Sequence, residues 1–217
     1  MAIGKPKVVI WGATGPALIV ADILRLRGVY EIAGYLDNLT PERKGTSFGG
    51  AAVLGGDEVL DSLLASGVRH MIFAFQNNAV RLELAERARA KGFELITAIH
   101  PTASIAAEVS IGSGTVVRAQ SAVGPGTRVG DNCIIGYGAM VSHDCTIADG
   151  VHISSGVNLA GGTRVGRASW IGLGATVIDL CQVGADSLVG AGAVVTRSVP
   201  DRVVAYGVPA RVVSANE

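Results

Sequence analysis

The sequence carries no excess charge of either sign and no apolar run long enough to cross a bilayer. It has only three cysteines and four histidines in 217 residues. Eighteen basic and eighteen acidic side chains cancel to a formal net charge of +0. That balance offers no basic field to nucleic acid or to an anionic membrane. A spanning helix needs about 20 consecutive apolar residues, and no such run is present. No secretory leader is expected: Lys5 and Lys7 precede an apolar stretch, but Gly12 and Asp22 suit a strand and a helix better. The expected compartment is the cytoplasm. Three cysteines cannot all pair within one chain. Cys133, Cys145 and Cys181 share one place in the repeat described next and read as small buried hydrophobes. Only His143 and His152 fall inside that repeat, nine residues apart, which is a poor basis for a zinc site. No metal is expected.

What the chain does have is apolar content, 49%, arranged with a strict period. Sixteen aliphatic residues stand six apart without a slip, from Ile105 and Ile111 through Val141, Ile147 and Ile153 to Val189 and Val195. A helix spaces apolar residues by three or four and an ordinary strand by two. A period of six fits a chain that turns a corner every six residues, the hexapeptide β-helix. Gly follows the aliphatic residue at positions such as 112, 124, 136 and 172, where a tight corner is expected to need it. The fourth place after the aliphatic is usually small (Thr115, Thr127, Cys133, Cys145, Ser169, Ala193), as a narrow prism requires.

Residues 1–100 follow another grammar. Strands are expected at Lys7–Trp11, Ile32–Leu36, His70–Phe75 and Phe93–Ile99, with helices over 17–27, 59–66 and 80–91. Strand–helix alternation with short loops predicts a small parallel α/β sheet of about four strands, with ligands at the carboxyl ends of the strands. Those ends are the Gly12–Pro16 turn, Asp37-Asn38 and Gln76–Asn78. The glycine turn, G-x-x-G, falls short of the dinucleotide fingerprint, although Asp37 stands where a ribose-binding acid would. A phosphate held on its N–H groups and a plain structural turn both remain open. The second domain is expected over 101–217, with a tail (Tyr206 to Ala210) that breaks the repeat and caps it.

The hexad Val141-Ser142-His143-Asp144-Cys145 points an imidazole outward, with Asp144 beside it to orient the ring. Neighbouring side chains on a strand diverge, so that contact demands a local bend. His152 also avoids the core positions and is expected on an outer face. Three hexads make a coil, so Gly161 lies one coil from His143, and its N–H is a candidate donor to an oxyanion.

These residues, Val141 to Ile147 followed by Val151-His152-Ile153-Ser154, closely resemble the H-[DE]-C-x-I-x-D-x-V-H-I-S signature of bacterial nucleotide-sugar acetyltransferases. That family includes bacillosamine-pathway and perosamine N-acetyltransferases and the related sialic acid O-acetyltransferases. The resemblance extends over the glycine turn, Leu36-Asp37, Gln76-Asn77-Asn78, His100-Pro101, the repeats and Gly207 to Ala210. It implies an α/β N-terminal domain followed by a left-handed parallel β-helix, working as a homotrimer with active sites between subunits. It implies acetyl-CoA as co-substrate and the 4-amino group of a nucleotide-linked 4-amino-4,6-dideoxy sugar as acceptor. By resemblance, His143 is the general base and Asp144 its support. His152, Gly161, Leu173 and Ala191 lie along the CoA groove, with His152 near the thioester. Thr14, Gly15, Pro16, Asp37, Asn38 and Gln76 contact the nucleotide sugar. Relatives that use UDP-sugars often have His after the glycine turn, a second Asp after the first, and Gly before Asn-Asn. Here those places hold Pro16, Asn38 and Gln76, which turns the expectation toward a GDP-linked sugar such as perosamine. A UDP-sugar acceptor, a sugar hydroxyl acceptor and a non-catalytic scaffold are the alternatives.

Overall fold

The K-V-V-I-W run forms β1 (Lys7–Trp11), buried from Val8 to Trp11, in the middle of the N-terminal sheet. A computed structural model describes residues 4–216, and the chain divides into two units between Pro101 and Thr102. In the first unit, α1 (Gly15–Arg27), β2 (Glu31–Leu36), β3 (Ser47–Phe48), β4 (Ala51–Gly55), α2 (Leu60–Ala65), β5 (His70–Phe73), α3 (Asn78–Lys91), β6 (Glu94–Leu95) and β7 (Ala98–Ile99) follow β1. The sheet order is β3-β4-β2-β1-β5-β6, parallel except for the β3–β4 pair. It therefore has six strands rather than about four. The additional pair was invisible because Ala51–Gly55 is short, glycine-bounded and without alternation. The strand expected over 93–99 is broken. Ile96 N–H still donates to Met71 O at 3.0 Å, and then the chain leaves the sheet before Ala98. The strand expected over 70–75 ends at Phe73. α1 starts two residues ahead of its expected start at Ala17, since Pro16 fits a first helical turn. Asn77 caps α3, its Oδ1 accepting the Val80 N–H at 3.0 Å, and Gly92 ends it in the left-handed region.

The second unit is a left-handed parallel β-helix. Sixteen two-residue strands run from Ser104–Ile105 to Val194–Val195, and the second residue of each is the aliphatic ladder, turned inward. Residues eighteen apart pair: Val123 with Val141, Val141 with Leu159, Leu159 with Val177. The strands collect into three faces. The first carries Val116, Ile134, His152, Trp170 and Leu188 on its outer side. The second carries Ala122, Met140, Asn158 and Thr176. The third is polar outside, with Arg128, Thr146, Arg164 and Gln182.

The corners correct one expectation. The left-handed residue comes three places after the aliphatic, as at Gly126 (φ +71°) and Asp144 (φ +56°). The glycine directly after the aliphatic serves coil contact instead: a Cβ on Gly124 would lie 2.9 Å from the Ser142 carbonyl carbon of the next coil. The small fourth position does more than save space. Thr115 Oγ1 donates to Gly130 O (2.9 Å), Thr127 Oγ1 to Ser142 O (2.7 Å), and Cys145 Sγ to Ala160 O (3.3 Å). These groups engage corner carbonyls, and Thr163 Oγ1 shares Ala160 O with Cys145 at 2.7 Å. All three cysteines are buried thiols outside any disulfide, and burial pushes the Cys145 and Cys181 thiols up. Beyond the repeats, β24 (Val203–Gly207) pairs with Leu188–Val189, and β25 (Ala210–Ala215) folds back on it antiparallel. This hairpin supplies partners to backbone groups of the last coils. Among the described residues no helix is long and apolar enough to cross a membrane.

The ladder can be tested by size. Ile153 is fully buried, so Ile153→Ala should cost about 2–5 kcal/mol in denaturant unfolding. Thr146→Ala, on the outer side of the third face, should stay within about 0.5 kcal/mol.

Candidate active site

Val141 faces the core, and three residues later the chain turns through the left-handed Asp144. This is the local bend that the side-by-side contact needs. It brings Asp144 Oδ2 to 2.8 Å from His143 Nδ1, with both side chains exposed. With Nδ1–H donating to the carboxylate, the lone pair of the imidazole is on Nε2. The dyad is held between two glycines of neighbouring coils. A Cβ on Gly126 would run into Asp144 Oδ1, and a Cβ on Gly161 would lie 2.6 Å from His143 Cε1 and Nε2. His143 O accepts the Gly162 N–H at 3.0 Å, which fixes the two coils in register there. The Gly161 N–H makes no hydrogen bond among the described residues, while Gly161 O accepts from Leu180 N (2.9 Å). An imidazole base beside a donor N–H is the arrangement that acyl transfer uses.

A cleft of about 750 Å³ runs along the second face up to His143, floored by Ala122, Met140, Asn158 and Thr176. Leu173 and Ala191 are not brought to it. They follow the first face, at a different corner, and are exposed there, stacked one coil apart with Gly192 N donating to Leu173 O (2.8 Å). His152 points outward, as its parity requires, yet it is only 2% exposed and lies on the first face. Its ring stacks on Trp170 (centroids 4.8 Å, 14°), and the Trp170 Nε1–H donates to Ser154 Oγ at 2.8 Å. The expected exposed histidine is thus covered. Sequence parity assigns a side, but it cannot say what covers that side.

In the N-terminal unit, a cavity of about 280 Å³ opens at the carboxyl ends of β1 and β2. Of the six nucleotide-contact candidates, Thr14, Asp37 and Asn38 line it, whereas Gly15, Pro16 and Gln76 do not. Asp37 is buried and accepts from Leu39 N (3.0 Å), Thr40 N (3.2 Å) and Arg43 Nη1 (3.1 Å). Arg43 Nη1 also donates to Ala13 O (2.6 Å), tying the glycine turn to the end of β2. Asn38 Nδ2 donates to Asp57 Oδ1 (2.5 Å), and Asp57 also pairs with Arg87. Arg43, Asp57, Glu83 and Arg87 escaped sequence reasoning. The helical period of α3 does place Val80, Glu83, Leu84 and Arg87 on one side, and that side lines the cavity. No group of three or more His, Cys, Asp or Glu that could hold a metal ion occurs among the described residues.

A β-helix with an imidazole–carboxylate dyad at its edge, joined to an α/β unit with a cavity at the strand ends, defines a hexapeptide-repeat acyltransferase with an N-terminal ligand-binding domain. Residues 7–88 match the PglD N-terminal domain, and residues 126–161 match the bacterial transferase hexapeptide family (six repeats). The chain is similar to the perosamine N-acetyltransferase of Caulobacter crescentus, solved with CoA and GDP-perosamine: 38% identity, TM-score 0.90, 98% of each chain. It is also similar to the acetyltransferase domain of PglB from Neisseria gonorrhoeae FA1090, solved with acetyl coenzyme A: 36% identity, TM-score 0.90, 97% of this chain and 100% of that one. A 43-residue stretch is 44% identical to the galactoside O-acetyltransferase of Lactococcus lactis subsp. lactis (strain IL1403); it spans 21% of that protein, so this chain matches about a fifth of that relative's length. The chain belongs to the nucleotide-sugar N-acetyltransferases of the hexapeptide-repeat superfamily, enzymes that take their acetyl group from acetyl-CoA.

The packing of Gly161 on the imidazole yields a prediction. In Gly161→Ala the atoms that collide belong to an exposed ring that can swing aside. Unfolding temperature should therefore change little, while kcat falls about 10²-fold through misplacement of Nε2. A loss of stability without loss of turnover would show that the contact is only packing.

Proposed function

We propose that this enzyme transfers acetyl from acetyl-CoA to the 4-amino group of a GDP-linked 4-amino-4,6-dideoxy sugar, of which GDP-perosamine is the best candidate. The observation that carries this reading is the His143–Asp144 dyad, with Nε2 next to the unengaged Gly161 N–H. The amine nitrogen attacks the thioester carbonyl, and its proton passes to His143 Nε2. The Gly161 N–H stabilises the oxyanion of the tetrahedral intermediate. Collapse expels the CoA thiolate, which receives the proton from the imidazolium and leaves as the free thiol. Asp144 holds the ring in the tautomer that this requires and offsets the imidazolium charge.

The active assembly in this reading is a homotrimer. His143 stands at the corner after the second face, and Leu173 and Ala191 at the corner after the first. A cleft lined by both needs two prisms, one contributing the base and the other the CoA wall. His152, stacked on Trp170, belongs in this reading to the CoA wall, on the first-face side. Thr14, Asp37 and Asn38 take the nucleotide, with Gly15, Pro16 and Gln76 at the margin of that site.

A feature of the cavity favours guanine over uracil. Glu83 lines it, and no hydrogen bond or ion pair engages its carboxylate among the described residues. An ionised carboxylate only accepts. Guanine presents N1–H and the 2-amino group side by side, whereas uracil presents one N–H between two carbonyls. The relative solved with GDP-perosamine is in keeping with this choice.

The decisive assay is thiol release from acetyl-CoA with GDP- and UDP-linked 4-amino sugars and their 4-hydroxy counterparts. The GDP-linked amine should be the best acceptor; a preference for a hydroxyl would make the enzyme an O-acetyltransferase. His143→Ala should lower kcat by about 10²-fold or more with the fold intact, and near-normal turnover would remove His143 from the role. Glu83→Gln should raise KM for the GDP-linked acceptor about ten-fold and leave kcat largely unchanged.

A further inference from the structure

Arg118 is a charged residue of the β-helix for which the reaction above has no use. It directly follows Val117, at the corner after the first face, and is 9% exposed. Its Nε is fully buried and without a hydrogen-bond partner, and no carboxylate pairs with the guanidinium among the described residues. The contact it does make is with Tyr137 of the next coil, whose ring centre lies 5.6 Å from Cζ. Burial pushes the Arg118 pKa down, and the Tyr137 interaction opposes this. Other arginines are differently placed: Arg43 and Arg87 are matched by Asp37 and Asp57, and Arg128 and Arg164 stand exposed on the third face.

A guanidinium stays protonated in proteins. Taken out of water with no anion beside it, it is a strongly unfavourable feature, and its cost is recovered only when an anion arrives. Stacking on an aromatic face occupies the plane of the group and leaves its edge donors for a fork-like pair with an oxyanion. Arg118 and Tyr137 belong to the same series of corners as Leu173 and Ala191, the wall that the proposed function gives to substrate. Both substrates of that reaction carry phosphoryl groups.

We infer that Arg118, seated on Tyr137, is a receptor for phosphoryl oxygens of an incoming substrate, supplied by the diphosphate of the nucleotide sugar or by the phosphates of acetyl-CoA. The inference rests on the proposed function for the identity of the anion, not for the need of one. It makes Arg118 a binding residue whose loss acts on KM rather than on the chemical step.

The test uses the full-length enzyme with Arg118→Met and Arg118→Lys. Steady-state kinetics are read against both substrates, and calorimetry compares GDP with guanosine and acetyl-CoA with acetyl-pantetheine. The wild type should bind the phosphorylated member of at least one pair much more tightly. Arg118→Met should erase about ten-fold or more of that preference and raise the corresponding KM, with kcat changed less. Arg118→Lys should lie between, since it keeps the charge and loses the fork; it also serves where the neutral variant does not fold. A collapse in the first pair assigns the diphosphate, and in the second the coenzyme. Unchanged preferences in both pairs, in a folded variant, overturn the inference. So does a variant whose sole defect is a lower oligomeric mass in sedimentation, because the anion would then be a carboxylate of a second copy. If the wild type acetylates no nucleotide-linked amine, the proposed function fails, while the paired calorimetry still decides the role of Arg118.

Discussion

The register of eighteen residues per coil is the constraint on which the catalytic unit depends. Each coil lies on the last through parallel backbone hydrogen bonds, so a residue's vertical neighbours are fixed before its side chain is chosen. The inward aliphatics form continuous columns, and exclusion of water from those columns drives the stack. A slip of one residue would send every aliphatic outward. The same register decides which backbone lies above and below His143.

The chemistry follows from that stacking. Asp144 takes a left-handed conformation that is unfavourable for most residues other than glycine. At a corner where the coils on either side place Gly126 and Gly162, an aspartate can fold its carboxylate back on the preceding imidazole. Gly126 on one side and Gly161 on the other keep Cβ atoms out of the space the dyad occupies. An imidazole with a fixed tautomer and a neighbouring N–H donor thus arises from backbone geometry plus two glycines. The N-terminal unit is organised by different means: Arg43 and Asp37 lock the glycine turn to the end of β2, and Asn38, Asp57 and Arg87 form a second group beside the cavity.

The histidines and arginines show how far sequence parity reaches. Alternation told that His152 points away from the core, and it does, because Ile153 points in. The stack on Trp170 depends on a residue eighteen positions later whose ring happens to lie flat over it. Nothing in the sequence singles out Arg118. Its burial and its lack of a counter-charge are properties of the packed molecule, and no local pattern encodes them. The split between the His143 corner and the Leu173 corner is invisible in a single hexad but follows from the eighteen-residue coil. Both occupy the same place in the hexad, and only winding three hexads around the prism shows that they belong to different edges.

By itself the sequence determined the period of six, the inward ladder, the column of small residues and the stacking of Gly161 with His143, because a strict repeat converts position in the chain directly into position in space. It also determined the central strands and main helices of the N-terminal unit, whose apolar runs are long enough to show a period. Tertiary structure decided the Ala51–Gly55 strand, the break after Ile96, the covering of His152, the isolation of the Arg118 charge, and the residues of α3 that line the cavity. Each of these depends on which side chain or segment a distant neighbour brings to the place, and spacing alone does not carry that.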